Sequence, residues 1–139
     1  MGRLFFMPVE TVPRDLEYKY YLCRNIYEKG DLFVFARPWV LQTLCNLFNS
    51  INWVGQNCFE VSKFTKESVK SNLDKKKGML FYFDEEGGIY PIERDQEIFR
   101  KRYSNKSLNQ NDRIYVWGLK QFNLLKELGL NSLLVGHPR

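Results

Sequence analysis

The chain has 139 residues, 44% of them hydrophobic and 27% charged, with a formal net charge of +5. That balance excludes intrinsic disorder and suits one globular domain around a single core. No apolar run approaches the roughly 20 residues that span a bilayer, and no secretory signal opens the chain. Cys23, Cys45 and Cys58 are odd in number and lack CxxC spacing, so they read as buried thiols of a reducing cytoplasm.

Six short apolar runs follow one another at 3–9, 32–36, 51–54, 79–83, 113–117 and 133–135. Each is near-continuous rather than alternating, the habit of strands buried on both faces of a parallel sheet. After the first run, Pro13 suits an opening helical turn, Leu16, Tyr20, Cys23 and Tyr27 recur at helical spacing, and Gly30 offers a left-handed stop. Pro38 opens a second helix whose apolar face is Leu41, Leu44, Cys45 and Phe48. A third helix is expected over 62–74, with Lys63, Lys66 and Lys70 on one side. Lys75, Lys76 and Lys77 would close it, because cations complement a helix carboxyl end. A short helix is expected over 92–103. Another is expected over 119–128, with Leu119, Phe122, Leu125 and Leu128 as its stripe and Gly129 as its cap. Strictly alternating strands and helices predict an α/β fold. The expected form is a Rossmann-like three-layer sandwich, a mostly parallel six-stranded sheet in a single domain over 1–139.

In such sheets ligands bind beyond the carboxyl ends of the strands, where the polar loops of this chain fall. Several chemistries are disfavoured there. Glu10-Thr11-Val12-Pro13 after the first strand is neither GxGxxG nor a P-loop. A G-x-S-x-G elbow is absent, and His137 is the only histidine, so no metal site is expected. The richest loop is Asp84-Glu85-Glu86-Gly87-Gly88. Adjacent carboxylates raise one another's pKa toward the range of a general base, and paired glycines let backbone approach a ligand. The plainer reading is an acidic turn that caps the next segment or pairs with arginines. Glu10, Arg14 and Asp15 form a second cluster at the first strand–helix junction, where Asp15 also suits a positive helix start. Arg37 presents a planar fork to a carboxylate or phosphate, or pairs with Glu10 or the acidic loop. His137 lies on the same rim.

Taken together, Pro8-Val9-Glu10, Arg14-Asp15-Leu16-Glu17, Lys19, Asp84-Glu85-Glu86-Gly87, Tyr90, Val116-Trp117-Gly118, Lys120-Gln121 and Gly136-His137-Pro138-Arg139 form an ordered pattern. It resembles the amino-terminal half of bacterial surface-carbohydrate biosynthesis proteins of the GT-B glycosyltransferase type, and its acidic loop is similar to that of capsule Kdo transferases. His137 stands where asparagine is common in that pattern. The resemblance implies an acceptor-side amino-terminal domain of a two-domain enzyme, inactive as an isolated fragment. Asp84, Glu85 and Glu86 would be its catalytic carboxylates. Glu10, Arg14, Asp15, Arg37, Gly87, Gly88, His137 and Arg139 would bind substrate. It implies no cofactor of the domain's own, since the nucleotide-sugar donor would bind mainly a carboxyl-terminal domain that acts as partner. A glycan or lipid-linked acceptor, and cytoplasmic placement with peripheral contact to an anionic membrane, complete that expectation. A rival from another class is a non-enzymatic basic α/β module for nucleic acid or an anionic surface. A third is a standalone flavodoxin-like domain with a small ligand.

Overall fold

The computed structural model describes residues 2–61, 66–84, 95–104 and 107–135. Six strands form an all-parallel sheet in the order β2-β1-β3-β4-β5-β6: β1 Leu4–Pro8, β2 Leu32–Ala36, β3 Ile51–Val54, β4 Met79–Phe83, β5 Arg113–Val116 and β6 Ser132–Leu134. Helices separate them: α1 Glu17–Ile26 after a π-helical turn at Val12–Leu16, α2 Pro38–Leu44, α3 Val69–Lys75, α4 Asp95–Ser104 and α5 Leu119–Glu127. The α/β expectation therefore holds. The chain divides into two compact units, Met1–Leu80 and Phe81–Pro138.

In the first unit β1 is the central strand. It pairs with β2 in the register Phe5↔Phe33 and with β3 in the register Phe6↔Trp53. Its residues from Phe5 to Pro8 are all buried, as a run covered on both faces must be. Phe5 stacks on Phe33 with ring centroids 4.8 Å apart, while Met7, Leu41 and Trp53 are wholly buried. Pro38 opens α2 as its fixed φ allows, and Leu41 and Cys45 face inward.

Two expectations about this unit need correction. Of the expected stripe Leu16, Tyr20, Cys23 and Tyr27, Cys23 alone is buried; Tyr20 and Tyr27 are 60% and 57% exposed, and Asp15 in the π-helical turn and Lys19 in α1 face inward instead. Hydrogen bonds described below let polar groups turn inward, which hydrophobic periodicity does not encode. The third helix starts at Val69 because the Ser68 hydroxyl accepts the Ser71 amide at 3.1 Å and caps it there. Lys66 precedes that helix, Lys63 lies outside the described residues, and Lys70 is fully buried, bonded to Asp74 one turn on. Of the cations expected to close α3, Lys76 serves another helix. Its ammonium donates to the carbonyls of Cys45 (3.1 Å), Asn46 (2.8 Å) and Phe48 (3.2 Å), just past α2. Gly78 lets the chain leave α3, since a Cβ there would lie 2.6 Å from the Ile51 carbonyl oxygen.

In the second unit β5 pairs with β4 (Phe83↔Tyr115) and with β6 (Tyr115↔Leu133). Phe83 and Tyr115 stack at 4.6 Å, and Tyr82, Ile114, Val116 and Leu125 are buried. Gly129 caps α5 with φ +70°, as its place after the helix predicts. The inward residues of α5 are Gln121, Leu124 and Leu125, whereas Leu119 at the first turn is 65% exposed.

Candidate functional site

The loop leaving β1 is built around one buried carboxylate. Asp15 Oδ2 accepts the amide N–H groups of Glu10 and Thr11, both at 2.9 Å, and Oδ1 accepts from Arg14 Nε at 2.8 Å. Burial disfavours the charged form of Asp15. The Arg14 guanidinium, the two amides and the nearby Lys19 ammonium outweigh it, and the carboxyl is held below the usual carboxylate range. Lys19, itself buried, donates its ammonium to the Pro8 carbonyl at the carboxyl end of β1. Beside it Gly55 adopts φ +133°, and a Cβ there would approach Pro8 Cγ to 3.2 Å, so only glycine lets the end of β3 pass this close.

β2 lies on one side of β1 and β3 on the other, so the strand order reverses there. Such a switch point is where open α/β sheets leave a crevice. Glu10 follows β1, Arg37 follows β2 and Asn57 follows β3, and the structure brings the three together. Asn57 Nδ2 donates to Glu10 Oε1, Arg37 Nη1 donates to the Glu10 carbonyl, and Arg14 Nη2 donates to Glu10 Oε2 at 3.2 Å. Glu10 is thus held through its amide, its carbonyl and both carboxylate oxygens, yet its side chain remains 48% exposed. Gln42 Nε2 reaches the Asn57 carbonyl at 3.2 Å. These groups line an open cleft of about 520 Å³ together with Pro38, Trp39 and Glu60. Trp39, in the first turn of α2, is 59% exposed.

Of the residues expected from sequence to bind substrate, Glu10 and Arg37 line this cleft and Arg14 and Asp15 shape its floor loop. Sequence reasoning missed Trp39, Gln42, Asn57 and Glu60. A signal existed for Trp39, a large aromatic beside Pro38 and off the helix's apolar stripe.

In the second unit Asp84 stands at the carboxyl end of β4 and is 2% exposed. Its Oδ2 accepts from the Tyr103 hydroxyl and from Gln121 Nε2 at 3.1 Å, while its carbonyl accepts Trp117 Nε1 at 3.1 Å. Gln121 Nε2 also lies 3.4 Å from the Tyr103 oxygen. Asp84 is therefore the hub of a buried polar network drawn from α4, the turn after β5 and α5. Glu85, Glu86, Gly87, Gly88, His137 and Arg139 lie outside the described residues.

Among the described residues, no group of three or more His, Cys, Asp or Glu side chains is placed to hold a metal ion, and no helix is long and apolar enough to cross a membrane. Several cations behind the net positive charge are engaged locally: Lys70 with Asp74, Lys75 with Glu67 at 2.6 Å, and Arg100 with Glu127 at 3.2 Å. All three cysteines are buried thiols. Burial pushes the Cys23 thiol up to about 11 and the Cys45 thiol up to about 12, so neither holds thiolate near neutrality. A thiol reagent at pH 8 is expected to leave both unlabelled in the folded protein and to label both in denaturant. Rapid native labelling of Cys45, read by mass spectrometry, would contradict that burial.

Compared with protein-family models, curated proteins and solved structures, the chain matches none.

Proposed function

We propose that this chain is the acceptor-side domain of a GT-B-like glycosyltransferase of bacterial surface polysaccharide synthesis, and that it holds an acceptor sugar in the switch-point cleft. The observation that carries the reading is an exposed Trp39 set among Glu10, Gln42, Asn57 and Glu60 in that cleft. A sugar ring offers one weakly apolar face and an edge of hydroxyls. An exposed indole suits the first, and carboxylate and amide side chains suit the second because carboxylates accept from hydroxyls and amides both accept and donate. Glu10 supports the reading further, since a carboxylate fixed at four points is already organised for a ligand. In this reading Asp84, held in its buried network through Oδ2, supports the acidic loop, and Glu85 and Glu86 supply the catalytic carboxylate. The donor nucleotide sugar belongs to a second domain. The basic-module alternative draws less support, because Lys70, Lys75 and Arg100 are already matched by acids.

A panel of common hexoses, hexosamines and their acids, titrated into isotope-labelled protein, tests the reading. At least one sugar should shift the Trp39 indole and the Asn57 side-chain amide, with millimolar affinity. Trp39→Ala should weaken binding about tenfold or more, equivalent to about 1.4 kcal/mol. If no sugar in the panel shifts those signals, the saccharide reading is lost.

A further inference from the structure

β6 is the last strand on its side of the sheet, and among the described residues no strand pairs with its far edge. Its bonds to β5 alternate as a parallel ladder requires. Ile114 N–H donates to the Asn131 carbonyl at 3.0 Å, and Val135 N–H donates to the Val116 carbonyl at 2.9 Å. Asn131, Leu133 and Val135 thus turn their backbone groups toward β5, and Ser132 and Leu134 aim theirs away from the sheet. Such an edge is a template for another strand, and proteins blunt it with charges or proline. The stretch from Leu128 to Val135 has neither. Leu133, Leu134 and Val135 are 44%, 42% and 55% exposed along it. The other edge of the sheet is treated differently. β2 is preceded by Glu28, Lys29 and Asp31 and followed by Arg37, and Arg3 Nη2 lies 2.6 Å from the Asp31 carboxylate.

We infer that β6 pairs antiparallel with β6 of a second copy of this chain, about a two-fold axis at Leu133, so that two sheets join edge to edge. The strand is complementary to itself in that register. Ser132 of each copy lies opposite Leu134 of the other, and these are the residues whose N–H and C=O groups point outward. Each opposed pair exchanges both of its N–H···O bonds, as an antiparallel hydrogen-bonded pair does. On one face Leu133 packs against its own counterpart, and on the other Leu134 covers Ser132, so the exposed apolar groups of the edge are buried together. Charge selects the same occupant. Copies of a chain with a net charge of +5 repel wherever their cations meet, and this uncharged stretch lets two of them approach without opposing like charges. An acidic partner, the kind a basic chain attracts, finds no cation along this strand.

Sedimentation of the full chain from micromolar to millimolar concentration should show a monomer–dimer equilibrium. Leu133→Lys sets like charges against each other at the axis and should weaken the dimer at least about tenfold. Leu133→Glu alone should do the same, and a mixture of the two variants should dimerise again because opposite charges then meet. Ser132→Pro removes an N–H that faces away from β5 at the first residue of the strand, where proline is tolerated. It should leave the melting temperature near wild type, dissolve the dimer, and serve alone if the charged variants fold poorly. Hydrogen exchange reads the contact without substitution: the Ser132 and Leu134 amides should gain protection as concentration rises, and the Leu133 amide, already bonded to β5, should not. A chain that stays monomeric at millimolar concentration overturns the inference. A dimer that survives both Leu133→Lys and Ser132→Pro also overturns it, since the contact then lies elsewhere. Mixed Lys and Glu variants that fail to associate would mean that Leu133 does not meet its counterpart, and the two-fold pairing is wrong.

Discussion

Replacing Asp84 with alanine is expected to lower the stability of the second unit by about 3 kcal/mol, the largest single effect among the polar residues considered for function. Two donors lose their buried acceptor at once, the Tyr103 hydroxyl and Gln121 Nε2. Leaving a buried donor without its acceptor costs about 1–3 kcal/mol, and burial denies the released donors a water molecule in exchange. The weak contact of 3.4 Å between Gln121 Nε2 and Tyr103 recovers only part of the loss. Asp84→Asn keeps one acceptor oxygen and should cost about 1 kcal/mol. Thermal melts followed in the near ultraviolet report on this unit through Trp117, whose indole bonds the Asp84 carbonyl. A melting temperature for Asp84→Ala within about 2 °C of wild type would show that the network is not holding β4, α4 and α5 together.

That result bears on how loss of function at the acidic loop is interpreted. An inactive Asp84→Ala enzyme would be explained by unfolding before any catalytic role was needed. Under the proposed function, Glu85→Gln and Glu86→Gln in the two-domain protein are the variants that separate catalysis from support, because turnover is read against an unchanged melt. A loss of turnover at either one, with stability intact, assigns the chemistry to that position.

The parallel sheet was legible because its strands are written as unbroken apolar runs, and a run covered on both faces has no polar side to alternate with. Punctuation was legible too: Pro13 opens the π-helical turn, Pro38 opens α2 and Gly129 caps α5, each for a backbone reason that holds without neighbours. What failed depended on partners distant in sequence. Leu16 and Tyr20 fit the helical period, yet Asp15 and Lys19 won the inward face through bonds to Glu10, Thr11, Arg14 and Pro8. Lys70 shares a helical side with Lys63 and Lys66 in the sequence, yet it is buried with its ammonium on Asp74. The cleft was half legible. Glu10 and Arg37 stand at strand ends and could be chosen from position alone. Asn57 meets Glu10 across 47 residues only because β3 returns beside β1, and strand order is not written in local pattern.

The second large effect concerns Asp15 and carries a pH signature. Its carboxyl is held below its ordinary value in the folded chain, so it contributes stability that is present above the unfolded value of about 4 and is lost as pH falls through the folded one. Asp31, held well below the usual range by Arg3, has the same sign. Urea midpoints of the wild-type chain should therefore be flat from pH 7 to about pH 5 and fall steeply below about pH 4. Asp15→Asn can keep its one oxygen on the Glu10 and Thr11 amides, but its NH₂ then faces the Arg14 guanidinium. The substitution should cost about 2 kcal/mol at pH 7, and the gap to wild type should narrow as acid neutralises the native carboxylate. Under the proposed function the same variant should weaken sugar binding, because Arg14 loses its Asp15 acceptor and no longer holds the Glu10 carboxylate in place. Midpoint curves for wild type and Asp15→Asn that stay parallel down to pH 3 would mean that Asp15 is not the ionised anchor of this loop. Glu10 would then owe its position to Asn57, Arg14 and Arg37 alone.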